Sequence, residues 1–154
     1  MTWKQRYEQA HREYQAKAYP SAYRDFGPIK TTYPDVRKAN GLTLVILNFL
    51  KWSGWRATRT NTQGRLIDKV ERQESGTMLQ VKKWLPTAGR KGSADVSATI
   101  KGRSVMLEVK VNLDKPSPDQ LREQELERRA GGVYEFVKTF EQFLIFYDKF
   151  IQSC

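Results

Sequence analysis

The chain has 154 residues, 39% hydrophobic and 12% aromatic, which is enough to build one domain around one core. Its 27 Lys and Arg residues against 17 Asp and Glu give a formal charge of +10, which points to a polyanionic partner, nucleic acid first and an anionic membrane second. A single cysteine, Cys154, excludes an intramolecular disulfide, and His11 as the one histidine excludes a Cys/His zinc set, so any metal takes oxygen ligands.

From the N-terminus, Trp3, Tyr7, Ala10, Tyr14 and Ala18 recur at steps of three and four and predict a helix with one apolar stripe, docked on the core or on a second subunit. The residues around Met1 lack the apolar run of a secretory signal, so a cytoplasmic protein is expected. Three prolines, a glycine and scattered aromatics between Tyr19 and Asp35 predict an extended connector. Residues 1–36 are thus read as a helix and connector, and 37–154 as the main domain. Leu42 to Trp52 predicts a buried helix closed by Gly54; its apolar run is too short to span a bilayer, and no membrane partner is expected. Trp55 to Thr60 alternates as a strand, Asn61 to Gly76 reads as a loop or irregular hairpin, and Met78 to Leu85 as a further strand. Gly89 to Gly92 reads as a turn.

Two alternating runs follow. Val96, Ala98 and Ile100 form one apolar face, Val105, Leu107, Val109 and Val111 another, with a turn at Lys101-Gly102 between them. Ser117, Pro118 and Gln120 carry a capping box with proline at the first helical position, and Gly131-Gly132 stops that helix. Val133 to Val137 is a strand, and Thr139 with Gln142 opens a last helix carrying Phe140, Phe143, Leu144, Tyr147 and Ile151. The expected class is α/β, a sheet flanked by helices.

The chemistry follows from the register of that hairpin. With a two-residue turn Ile100 pairs with Arg103, and counting back places Asp95 opposite Glu108 with Cβ atoms roughly 5 Å apart on one face. Lys110 projects from the same face, opposite the apolar one. Two carboxylates this close repel unless a cation lies between them. Magnesium suits them, because it takes a couple of carboxylates with waters and phosphate oxygens, and the Val109 carbonyl offers a further ligand. Such a set binds a scissile phosphate and activates water. The alternative is an ordinary solvated strand face. Arg56, Arg59, Arg65, Lys82, Lys83, Arg90, Lys91, Lys101 and Arg103 surround these segments in sequence and are candidates for phosphate contacts, each with a solubilising role as an equal reading. Trp55 and Trp84 are candidates for base stacking, although tryptophans beside an apolar helix usually belong to the core.

The ordered run Lys91-Gly92-Ser93-Ala94-Asp95, Gly102-Arg103-Ser104, Glu108-Val109-Lys110, Ser117-Pro118-Asp119-Gln120 and Ala130-Gly131-Gly132-Val133-Tyr134 resembles the VRR-NUC branch of the PD-(D/E)XK nucleases, in a form met in phages and mobile elements. The similarity covers Leu42 to Phe146. It implies a restriction-endonuclease-like mixed sheet flanked by helices, in a bacterial or phage-infected cell. It also implies magnesium, with manganese able to substitute and no small-molecule cofactor. By that resemblance Asp95 and Glu108 bind the metal, Lys110 assists the attacking water, and Gln120 supports the site from the following helix. DNA, structured or branched, is the implied substrate, and a homodimer is a possible assembly. Ala94 stands where the family name has proline. Between Asp35 and Asp68 there is no carboxylate, where relatives often place a glutamate on a helix, so Asn40, Thr43 or Asn48 would have to act through water. A non-catalytic DNA-binding module on the same fold is the alternative reading, and a basic scaffold in phage assembly a third.

Overall fold

The computed structural model describes residues 1–60, 65–85 and 92–153. The first helix, α1 (Trp3–Ala18), starts at a Thr2/Gln5 capping box and buries Tyr7 completely. The connector is only partly extended. Pro20–Phe26 is a short helix, α2, with Pro20 in its first turn, where its missing N–H costs nothing. Seven residues carry no full apolar period, so their helicity leaves no mark in the sequence pattern. The rest of the connector is tied back to α1. The Gln15 side chain accepts from the Ile29 N–H at 2.7 Å and donates to its carbonyl at 3.1 Å, while His11 Nδ1 lies 2.9 Å from Thr31 Oγ1. His11 also stacks on Trp52 with ring centroids 4.2 Å apart.

Helix α3 (Ala39–Trp52) buries Leu42, Val45, Ile46, Phe49 and Leu50, and the chain reverses at Gly54. After it come β1 (Arg56–Arg59), β2 (Arg65–Arg72), β3 (Met78–Leu85), β4 (Val96–Ile100), β5 (Arg103–Val109), α4 (Pro118–Arg129), β6 (Val133–Val137) and α5 (Phe140–Ser153). The order β1-β4-β5-β6 makes a mixed sheet, antiparallel except for the β5–β6 pair, and β2–β3 form a separate two-stranded sheet. Where a loop or irregular hairpin was expected, Arg65 to Arg72 is thus a regular strand. Its polar and charged side chains mask the period because both of its faces meet solvent.

One face of the four-stranded sheet presents Val96, Ala98, Ile100, Val105, Leu107 and Val109, none more than 4% exposed, to a core shared with α1, α3 and α5. Phe49, Phe140, Phe143 and Tyr147 meet edge-on or stacked in that core, and Tyr7 joins through Phe140. Arg6 on α1 closes the seam with a bidentate ion pair to Asp148 on α5. The apolar stripe of α1 is therefore spent within this chain. No helix among the described residues is long and apolar enough to cross a membrane.

At Gly41 an added Cβ would come within 2.0 Å of the Asp35 carbonyl oxygen. In an open helix Gly→Ala gains about 1 kcal/mol. Here Gly41→Ala is expected to cost about 1–3 kcal/mol through overpacking, read as a lower urea midpoint with an unchanged slope.

Candidate active site

Lys101 and Gly102 both take positive φ, 48° and 79°, the conformation of a type I′ turn, whose twist matches that of the strands it joins. The turn sets Ile100 opposite Arg103, and the ladder runs back to Val96 opposite Leu107. Asp95 comes next, but it caps the ladder instead of extending it. Its Oδ2 accepts from the Val109 N–H at 2.9 Å, and its carbonyl accepts from the Thr60 N–H at 2.9 Å. One residue thus ties β1 and β5 together at this end of the sheet.

Glu108 is 5% exposed on the face away from the core. Its Oε1 accepts from Gln120 Nε2 and lies 3.3 Å from Lys110 Nζ. Its Oε2 is buried without a hydrogen-bond partner, an arrangement that costs free energy unless a cation or water meets that oxygen. Burial, and next the negative charge of Asp95, push the Glu108 carboxyl up to about 7, against the pull of Lys110. Lys110 is itself buried, with Nζ also 3.3 Å from Asp114 Oδ2, and its backbone N–H donates to the Val137 carbonyl. Val109 lies between the two, its side chain in the core and its amide given to Asp95.

Helix α4 covers this polar face. Gln120 serves twice there: its Oε1 accepts from the Ser117 N–H at 2.9 Å as part of the cap, and its Nε2 holds Glu108. The segment before Asp95 is fixed from two sides. The Tyr134 hydroxyl donates to the Gly92 carbonyl at 2.9 Å, and Gly92, with φ of 83°, lies so close to α4 that a Cβ would stand 2.5 Å from the Asp119 carbonyl oxygen. Burial, followed by the charges of Glu108 and Asp95, raises the Tyr134 phenol.

Asp95, Glu108, Lys110 and Gln120 thus meet at one place. Asp114 and Tyr134 join them, and neither role was legible beforehand. Asp114 lies in an irregular segment where spacing carries no facing information, and Tyr134 reads simply as an apolar strand residue. Asn48 is committed elsewhere, donating to the Tyr7 hydroxyl, and Thr43 donates to the Ala39 carbonyl of its own helix. Asn40 accepts from Arg59, and Arg59 pairs with Val96 at the Asp95 end of the sheet.

The basic residues divide. Arg103 and Lys101 do not surround the site. They sit at the opposite end of β5, where Arg103 lies over the Phe150 ring and Lys101 Nζ donates to the Ile151 carbonyl. The alternation that sets the register also carries Arg103 roughly 17 Å along the strand from Glu108. Arg56, opposite Thr99, is likewise toward that end. Lys82 and Lys83 are exposed on β3, Arg65 opens β2, and Arg90 and Lys91 lie outside the described residues. Trp55 donates its indole N–H to the Tyr147 hydroxyl at 2.8 Å and packs on the core, which takes it out of base stacking.

Among the described residues no three His, Cys, Asp or Glu side chains converge as a metal group. What converges is a pair of carboxylates, one with an orphaned buried oxygen, and such a pair fits a hard divalent ion that keeps most of its waters.

The Glu108 shift has a sign. A carboxyl raised from 4.5 to about 7 contributes stability that is fully present below the lower value and lost as pH climbs to the upper one. In EDTA, thermal melts of wild type and Glu108→Gln are expected to diverge against the wild type as pH rises through that window and to run parallel above it. Each kcal/mol of divergence corresponds to about 2–4 °C.

Compared with known proteins, the chain matches no protein-family model and no curated protein sequence.

Proposed function

We propose that this chain is a magnesium-dependent nuclease of the PD-(D/E)XK type, similar to the VRR-NUC branch, that hydrolyses phosphodiester bonds in DNA, with structured or branched DNA as its substrate. The observation that carries the reading is the buried pairing of Glu108 with Asp95 next to Lys110, with one Glu108 oxygen lacking a partner. A mixed sheet flanked by helices, with the carboxylates on one hairpin and a supporting glutamine on the next helix, agrees with the resemblance seen in the sequence.

Asp95, Glu108 and the Val109 carbonyl would hold the ion, which when bound would supply the positive charge that draws a phosphate oxygen and acidifies water. The rest of the work belongs to the protein. Val109 N–H and Gln120 Nε2 fix the two carboxylates from opposite sides, so neither must reorganise when a cation arrives. Lys110 keeps a donor 3.3 Å from Glu108, placed to follow charge onto the phosphoryl oxygens as the bond breaks. Asp114 holds that ammonium from the solvent side.

Labelled single-stranded, duplex, flap and four-way DNA incubated with magnesium, manganese or EDTA tests this reading. Metal-dependent cleavage is expected, reduced at least about 100-fold by Asp95→Ala or Lys110→Ala while DNA binding persists. The absence of a third converging carboxylate among the described residues favours one other reading, a DNA-binding module without catalysis. Folded wild type that binds DNA and cuts nothing would establish that module instead. Gln120→Ala is expected to raise the metal concentration for half-maximal cleavage about 10–100-fold, measured by magnesium titration.

A further inference from the structure

The β2–β3 hairpin is the one part of the described structure whose sequence and surroundings the catalytic reading leaves unused. Each strand is eight residues long, which gives a ribbon of roughly 26 Å. Every residue from Asp68 to Lys83 is exposed, so nothing in the described structure covers either face. A lone two-stranded ribbon is marginal in water, yet this one keeps large apolar groups in solvent: Val70 is 57% exposed and Met78 62%. Such a surface needs an occupant.

Charge and position indicate which. From Lys51 to Ala94 the sequence holds ten Lys and Arg residues against three carboxylates, Asp68, Glu71 and Glu74. The chain leaves the main sheet after Thr60, whose N–H bonds to Asp95, and the described structure resumes at Gly92, held by Tyr134 and packed against α4. Both roots of the hairpin therefore stand beside the paired carboxylates. Register sorts its side chains by face. Asp68, Val70 and Arg72 share one with Lys82, Gln80 and Met78; Lys69 and Glu71 share the other with Val81 and Leu79.

We infer that the β2–β3 hairpin is an arm that lies in the major groove of duplex DNA and holds it beside Asp95 and Glu108. This rests on the nuclease reading for the arm's purpose, though not for its binding. A two-stranded ribbon fits that groove, arginine and glutamine read base edges there, and apolar groups meet thymine methyls. Arg72 and Gln80 on one face, with Val70 and Met78 between them, supply that chemistry. A second copy of the chain is the less suitable occupant, because a face-to-face pair would bury Arg72 and Lys82 against their own equivalents.

Arg72→Ala with Lys82→Ala tests the arm, since both side chains are exposed and leave the core untouched. Fluorescence anisotropy with a labelled duplex about 30 base pairs long, over a range of salt, is expected to show at least a tenfold loss of affinity. The slope of log affinity against log salt should become shallower by about 2, roughly 0.9 per lost phosphate contact. Asp95→Ala should bind as wild type. Unchanged duplex affinity and slope in the double variant overturn the arm, and do so outright if sedimentation instead shows a dimer that the double variant loses. Lost duplex binding in a protein that cleaves no DNA with any metal upholds the arm and rejects the nuclease.

Discussion

A two-residue turn at Lys101-Gly102 decides the parity of the whole β4–β5 hairpin. Side chains in a strand alternate, so a turn longer by one residue would exchange the faces of one strand relative to the other. With the observed turn, Val105, Leu107 and Val109 go into the core with Val96, Ala98 and Ile100. Glu108 and Lys110 are left together on the far side, with Asp95 at the end of the ladder. The core stabilises this register because any slip would expose a full row of buried aliphatic groups. The same burial thus positions the polar site without any strong interaction of its own.

That polar site is held in tension. Two carboxylates and an ammonium are buried within hydrogen-bonding reach of one another, and they are not balanced: one oxygen of Glu108 has no partner, and its carboxyl is pushed toward neutrality. A protein selected for stability alone would gain from an apolar replacement. Retaining the arrangement costs stability, and binding of a cation would recover it. Helix α4 carries no buried residue, so its placement owes more to Gln120, to the close approach at Gly92 and to Gln124, which donates to the Tyr134 carbonyl, than to hydrophobic contact. Polar contacts of fixed geometry suit an element whose task is to aim side chains.

Most of the stability comes from the opposite side of the sheet. Helices α1, α3 and α5 share one aromatic core, sealed by the Arg6–Asp148 pair. Because α1 and its connector are anchored through Gln15, His11 and Thr31, the N-terminal segment is a layer of the same body. Burial lowers the readiness of His11 to take a proton, which suits a ring stacked on Trp52 in that seam. The β2–β3 hairpin is built differently, with both faces in solvent, and its separation from the core frees it to carry charge.

The sequence by itself determined what local periodicity and turn chemistry can encode. The strands around Lys101-Gly102, the capping boxes at Ser117 and Thr139, the apolar α3 and the meeting of Asp95 with Glu108 all rest on interactions within a few residues or on one short register count. Tertiary structure decided the rest, because its causes are distant in sequence. That α2 is helical depends on a proline in its first turn more than on a period. That Arg103 lies at the wrong end for the site follows from strand length. The roles of Tyr134 and Asp114 arise from parallel pairing with β6 and from the path of an irregular segment. The unpaired oxygen of Glu108 exists only because α4 folds over it. Spacing in a sequence can bring two carboxylates face to face, but burial, which sets their charge and their need for a cation, is a property of the assembled fold.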